Sequence, residues 1–98
     1  MLTSPPHLLN LDDLRIYVNE TLCNFNQLES GVFPLRERIL LRGGSPCGIF
    51  FSLHGPGSQR LTAIWETDSN AVLFYGADGQ RFLKTQLSTA TSLQLVAS

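Results

Sequence analysis

Apolar residues in the first third of the chain recur at steps of three and four, which predicts one amphipathic helix. Asn10 is a suitable N-cap, and Asp12 and Asp13 follow in the first turn, where carboxylates stabilise the positive end of the helix dipole. Gly31 provides a C-cap at the other end. The helix is predicted over residues 11–29, and its apolar stripe consists of Leu11, Leu14, Val18, Leu22, Phe25 and Leu28.

After the helix the apolar positions alternate with polar ones, and this period of two is typical of β-strands. Glycine, proline, serine and asparagine form the turns between the strands, and the pair Asp78-Gly79 is a type I′ hairpin signal. A short apolar stretch over residues 93–96 either adds a sixth strand or packs against the sheet. The five main strands are predicted over residues 32–42, 47–54, 60–66, 71–77 and 80–87.

One helix followed by consecutive hairpins predicts an α+β fold. The N-terminal helix packs on one face of a five- to six-stranded antiparallel β-meander, and the sheet could be strongly curved. Residues 1–9 contain two prolines and few anchoring side chains, so they are predicted to form a flexible leader. Residues 10–98 are then predicted to form a single domain.

Hairpin loop lengths predict which residues face each other across the sheet. His54 opposite Arg60 gives a fully apolar face on the second and third strands. The next two turns predict Trp65 opposite Leu73 and Tyr75 opposite Phe82. The predicted core face, which the helix covers, consists of Ile49, Phe51, Leu53, Leu61, Ala63, Trp65, Leu73, Tyr75 and Phe82.

The same registers place four large apolar side chains in one row on the second sheet face. Monomeric proteins rarely leave such a patch bare. Three explanations remain open: cover by the leader or by residues 88–98, a sheet-on-sheet homodimer, or a groove for a protein segment or apolar ligand. The predicted interaction surface consists of the row Phe50, Ile64, Phe74 and Leu83, with His54 and Arg60 as its polar rim.

Composition narrows the classes of partner. The chain has 98 residues, of which 43% are hydrophobic and 15% are charged, and these values are typical of folded domains. The formal net charge is −1, whereas nucleic-acid-binding domains usually carry a basic excess, so nucleic acid is a poor candidate partner. Arg36, Arg38 and Arg42 alternate along the first strand, where they either protect an edge strand or form a basic ridge.

The cellular location is predicted from the N-terminus and the cysteines. The first residues lack the positive region and long apolar run of a secretion signal, and no apolar run reaches the ~20 residues of a membrane span. Cys23 and Cys47 are too few for a disulfide framework and are predicted to be reduced, buried thiols, with a single bridge between them as the alternative. We therefore expect a cytoplasmic protein that does not associate with membranes.

Cys47 and His54 are the obvious candidates for a nucleophile and its base, but strand geometry separates them. They lie an odd number of positions apart on one predicted strand, so they point to opposite faces and are separated by roughly 23 Å. A catalytic pair needs heavy atoms within about 3 Å. The sequence also lacks serine-elbow, phosphate-loop and metal-ligand motifs, so we predict no catalytic residues, no metal site and no cofactor.

The predicted function is a non-enzymatic module for protein interaction or self-association through the second sheet face. The alternative is a small-molecule-binding domain or minor enzyme, with a pocket between helix and sheet near the Gly-Pro-Gly loop. Trp65, Tyr75 and one of the cysteines would line that pocket. Nucleic-acid binding would require the arginines of the first strand to join Arg60 and Arg81 in one patch.

Overall fold

The computed structural model describes residues 11–29, 31–57 and 59–87. The helix α1 spans Leu11–Phe25, and the strands are β1 Leu35–Arg42, β2 Ser45–His54, β3 Arg60–Glu66, β4 Ala71–Tyr75 and β5 Arg81–Gln86. The strands pair in chain order into one antiparallel sheet with β1 and β5 at its edges. The predicted α+β meander with one N-terminal helix is confirmed. The predicted leader over 1–9 and the predicted strand over 93–96 lie outside the described residues.

Helix α1 ends at Phe25 rather than at residue 29, because the chain turns sharply at Gln27. Gln27 has a φ of 57°, and the amide of Leu28 donates a hydrogen bond of 2.8 Å to the carbonyl of Cys23. Together these features form a Schellman cap, so the predicted cap at the later glycine is wrong. Leu28 still packs against the core from outside the helix, which explains why the apolar stripe continues beyond the last helical turn.

An apolar core of described residues lies between α1 and one face of the sheet. Tyr17 borders this core: its ring packs edge-on against Phe74, with centroids 6.0 Å apart, and its hydroxyl forms a 2.8 Å hydrogen bond with the Thr85 hydroxyl. The helix contributes Leu14, Val18, Leu22 and Cys23, and the strands contribute Ile49, Phe51, Leu53, Leu61, Ala63, Trp65, Val72 and Phe74.

The pairing of β2 with β3 has the register predicted from the sequence. His54 faces Arg60, and Ile49 faces Trp65. Since the residues between them also alternate as predicted, both strands direct their apolar set toward α1. The two-residue turn between β1 and β2 consists of glycines with φ of 58° and 84°, as a type I′ turn requires, and β2 therefore begins at Ser45.

The register between β3 and β4 differs by one residue from the predicted one. Trp65 faces Val72 rather than Leu73, because the connecting turn, residues 67–70, is one residue shorter than the predicted register requires. Asn70 in this turn has a φ of 49°, and its side-chain oxygen accepts a 3.2 Å hydrogen bond from the Trp65 indole. A slip of one residue exchanges the two faces of a strand. The predicted core positions of Leu73 and Tyr75 are therefore wrong.

The turn between β4 and β5 is a three-residue loop rather than the predicted type I′ turn. The amide of Gly79 donates a 3.0 Å hydrogen bond to the carbonyl of Gly76, and Gly79 has a φ of 81°. These features identify a type I turn followed by a left-handed glycine. Tyr75 consequently faces Arg81 rather than Phe82, and the register shifts beside this pair.

Candidate binding surface on the outer sheet face

The side of the sheet opposite α1, which we call the outer face, carries an apolar row with a cation at each end. Strand pairing aligns residues directly across all five strands. Because the three central side chains are only partly buried, an apolar strip remains accessible between two charged edges. In order from β1 to β5, this row consists of Arg38, Phe50, Ile64, Leu73 and Lys84.

Two of the four residues in the predicted apolar row lie on the outer face. Phe50 and Ile64 are direct cross-strand neighbours there, as predicted. Phe74 and Leu83 also face each other, but on the core side, where Phe74 is 0% exposed and Leu83 packs against the core. Their predicted position on the outer face is wrong, because the one-residue slip at β4 turns both side chains toward α1.

A cleft of about 280 Å³ lies beside Phe50, along β1 and β2. His54 and Arg60, the predicted polar rim, both line it and face each other across the sheet. We call this feature the basic cleft, since three guanidinium groups and an imidazole surround one phenyl ring. Its lining residues are Arg36, Glu37, Arg38, Phe50, Ser52, His54 and Arg60.

The three arginines of the basic cleft form no ion pair with any residue that the structure describes. Glu37, the acid at the border of the cleft, belongs by its strand position to the core side and binds Arg15 of α1. This hydrogen bond raises the pKa of the Arg15 guanidinium above its ordinary value. The cleft therefore retains its positive charge.

The formal net charge of −1 conceals a separation of charge between the two sides of the molecule. On the outer face, Arg38 of β1 and Lys84 of β5 lie on opposite edge strands, Arg36 and Arg60 add two further cations, and the acid Glu66 lies at the far end of β3. Helix α1 carries three carboxylates and one arginine. Residues 1–10 and 88–98 contain no Asp, Glu, Lys or Arg, so their side chains add no charge to either side.

Comparison of the chain with protein-family models, curated proteins and solved structures finds no match in any of the three. The basic cleft combines an accessible aromatic ring with cations that no described residue neutralises, and this combination suits an acidic partner.

Sequence reasoning missed that Arg36 and Arg38 lie on the same face as His54 and Arg60. The available signal was the Gly43-Gly44 pair, because a two-residue turn fixes the register of β1 on β2. That register places the β1 arginines beside the predicted rim. The sequence analysis left edge protection and a basic ridge as alternatives for these arginines and did not pair β1 with β2.

Of the three β1 arginines, Arg36 and Arg38 line the basic cleft, and the pairing of β1 with β2 shifts its register between them and Arg42, at Leu40 and Leu41. Arg42 lies beyond this shift and forms a 2.9 Å ion pair with Asp68, which raises the pKa of Arg42. Arg81 lines a different cleft. The five-arginine patch that nucleic-acid binding required is therefore not formed.

A larger cleft of about 490 Å³ lies between the end of α1 and the β4–β5 turn. Phe25 is 59% exposed there and stacks on Phe82, with ring centroids 5.0 Å apart. This is not the predicted small-molecule pocket, since Trp65 lies on the core face and Tyr75 on the outer face. The sheet itself separates these two predicted lining residues.

The residues considered for chemistry remain apart. Cys23 and Cys47 are free thiols; Cys23 is fully buried, and burial raises the pKa of its thiol. Cys47 and His54 occupy the same strand, β2, with the spacing expected from the sequence. Within the described ranges, no three His, Cys, Asp or Glu side chains are grouped as metal ligands would be. Among the described residues, no helix has the length and apolar content needed to cross a membrane.

Proposed function

We propose that this chain is a non-enzymatic protein-interaction module whose outer face binds an acidic segment of a partner protein. The observation that carries the proposal is the basic cleft, where Arg36, Arg38 and Arg60 surround Phe50 without an ion pair to any described residue. Charged groups at an interface guide partner choice, and an aromatic ring among them supplies apolar contact area.

The charge of the outer face favours an acidic partner over a second copy of the chain. Arg36, Arg38, Arg60 and Lys84 outnumber the acid Glu66 on this face and leave it positive. Two copies packed sheet to sheet would bring these positive surfaces together, and like charges at an interface are unfavourable by several kcal/mol. An acidic segment instead gains attraction from the same side chains.

An extended protein segment suits the shape of the surface better than a small molecule. The basic cleft continues into the apolar strip formed by Phe50, Ile64 and Leu73, which crosses three strands. Small-molecule sites enclose most of their ligand, whereas this surface offers a strip of apolar contact between charged edges. A peptide with acidic and apolar side chains matches both parts.

The proposal is tested with a fluorescent peptide that alternates glutamate and valine, and with its lysine–valine counterpart as control. Fluorescence anisotropy at low and high salt measures binding to the wild type and to two variants. Arg38→Glu removes a cation of the cleft, and Arg81→Glu makes the same charge change elsewhere. We expect the glutamate peptide alone to bind, about tenfold more weakly to Arg38→Glu and unchanged to Arg81→Glu.

Three results would overturn the proposal. Equal weakening by both variants would indicate a general charge effect. A single-stranded DNA oligomer that displaces the peptide and binds more tightly would indicate a nucleic-acid surface. Sedimentation of a dimer that Phe50→Glu dissociates would indicate self-association. Circular dichroism of each variant checks that the fold is retained.

We also propose a cytoplasmic location. Cys23 and Cys47 are free, and free thiols are in keeping with a reducing compartment. Microscopy of the tagged chain together with compartment markers tests this location.

A further inference from the structure

Strand β1 is an edge of the sheet, and its free side pairs with no other strand that the structure describes. An edge strand presents a row of backbone N–H and C=O groups that can pair with another chain. At 8 residues, β1 is long enough to accept a full additional strand.

The two faces of β1 differ in chemistry. On the outer face, Arg36 and Arg38 are exposed and line the basic cleft. On the core side, the strand continues beyond the cover of α1, so that Ile39 is 46% exposed. A single strand therefore offers cations on one face and an accessible apolar side chain on the other.

The charges of β1 discriminate between possible occupants of this edge. The strand contains three arginines and one glutamate, which gives a net charge of +2. Two β1 strands side by side would place these charges together, and such repulsion is a common protection of sheet edges against self-pairing. The same charges attract an acidic strand, so they exclude a second copy and admit an acidic partner.

We infer that the acidic segment binds as a sixth strand along β1, with its acidic residues on the outer face and apolar residues on the core side. This inference rests on the proposed function and specifies the form of the partner. It commits to strand addition, in which backbone hydrogen bonds provide affinity and alternate side chains provide specificity.

Strand geometry defines the pattern that the partner must have. An added strand lies about 4.8 Å from β1, and side chains directly opposite each other are about 5 Å apart. Carboxylates two positions apart would meet Arg36 and Arg38. The partner residue between these two carboxylates would lie beside Glu37. Because Glu37 already binds Arg15, we expect this partner residue to be uncharged. The partner residue opposite Ile39, two positions from the one opposite Glu37, would be apolar and would cover the Ile39 side chain.

The test uses the alternating glutamate–valine peptide with the length of β1, and a control of identical composition whose glutamates and valines stand in two blocks. Fluorescence anisotropy is measured at one salt concentration. We expect the blocked peptide to bind about tenfold more weakly, because it cannot place acids and apolar residues on opposite faces. The variant Ile39→Ser should weaken the alternating peptide, whereas Ile16→Ser, an exposed change on α1, should not.

Backbone methylation provides the decisive measurement. In a strand, the N–H groups of alternate residues point to opposite edges. Methylation of the backbone nitrogens of all glutamates, or of all valines, therefore blocks the hydrogen-bond donors on one edge of the peptide and leaves its charge unchanged. We expect one of the two methylated peptides to lose about tenfold in affinity and the other to bind like the parent.

The outcomes separate this inference from the proposed function. If both methylated peptides and the blocked peptide bind like the parent, and Arg38→Glu still weakens all of them, strand addition is wrong while the acidic partner stands. If no glutamate peptide binds in a way that depends on Arg38, both proposals fail.

Discussion

Arg15 of α1 binds Glu37 of β1, with 3.1 Å between Nη2 and Oε2, and thereby joins the helix to the edge of the sheet. The two residues are 22 positions apart in sequence, so this is a tertiary contact. Arg15 also binds the Glu37 carboxylate at the border of the basic cleft. Without Arg15, this carboxylate would compete with an acidic ligand for the arginines of the cleft.

Loss of this ion pair should have a small effect on stability. We expect Arg15→Ala to lower the free energy of unfolding by at most about 1 kcal/mol, since both side chains are partly exposed to water. Urea denaturation of Arg15→Ala, Glu37→Ala and the double variant gives their coupling energy. Asp12→Ala, which removes the other carboxylate bound to Arg15, is the control. A coupling well above 1 kcal/mol would contradict the expectation.

Phe74 and Phe50 should differ strongly in their contributions to stability. Phe74 is 0% exposed in the core, so Phe74→Ala should lower the free energy of unfolding by about 3–5 kcal/mol. Phe50 lies on the outer face, where Phe50→Ala should cost under about 2 kcal/mol because less apolar area is lost. Chemical denaturation measures both, and a larger loss for Phe50 would contradict the register of β4.

Gln27 provides a test of the helix cap. Its φ of 57° lies in the left-handed region that glycine adopts without steric cost, so Gln27→Gly should raise the free energy of unfolding by about 0.5–1 kcal/mol. The same substitution at Asn24, inside α1, should instead lower it by about 0.3 kcal/mol, because glycine is a somewhat poorer helix former than asparagine. Thermal unfolding followed by circular dichroism compares the two. A loss of stability in both variants would show that Gln27 does not form the cap.

Burial of Cys23 should make stability depend on pH in the alkaline range. Burial raises the pKa of its thiol above the ordinary value of 9.0, so the folded chain retains a proton that the unfolded chain releases. The stabilisation from the protonated Cys23 thiol is fully present below pH 9.0 and decreases as the pH rises above that value. Urea denaturation from pH 7 upward should show a smaller alkaline loss for Cys23→Ala than for the wild type. Identical pH profiles would contradict the burial effect.

The parts of the fold that were predicted correctly are those where residue types alternate strictly. In β2 and β3, a shift of one residue would direct Arg60, Thr62 and Glu66 into the core, so only one register is compatible with burial. The helix was predicted because its stripe covers several turns. Its end was placed too late, since Leu28 packs on the core without being helical.

The incorrect part lies at β4, whose five residues are all apolar or aromatic. Either face of such a strand can be buried, so alternation cannot fix its register. The turn over residues 67–70 decides it instead through its length, and its Asn70 side chain accepts a hydrogen bond from Trp65. For this reason Phe74 was wrongly predicted on the outer face. The outer-face positions of Phe50, Ile64, His54 and Arg60 were predicted correctly.

The separation of charge between α1 and the outer face gives the molecule an electric dipole directed across its sheet. At long range an acidic partner meets a nearly neutral object, with a formal charge of −1. Within a Debye length of about 8 Å it is attracted to one side and repelled from the other. The encounter is therefore oriented before contact, and added salt should slow association more than it speeds dissociation.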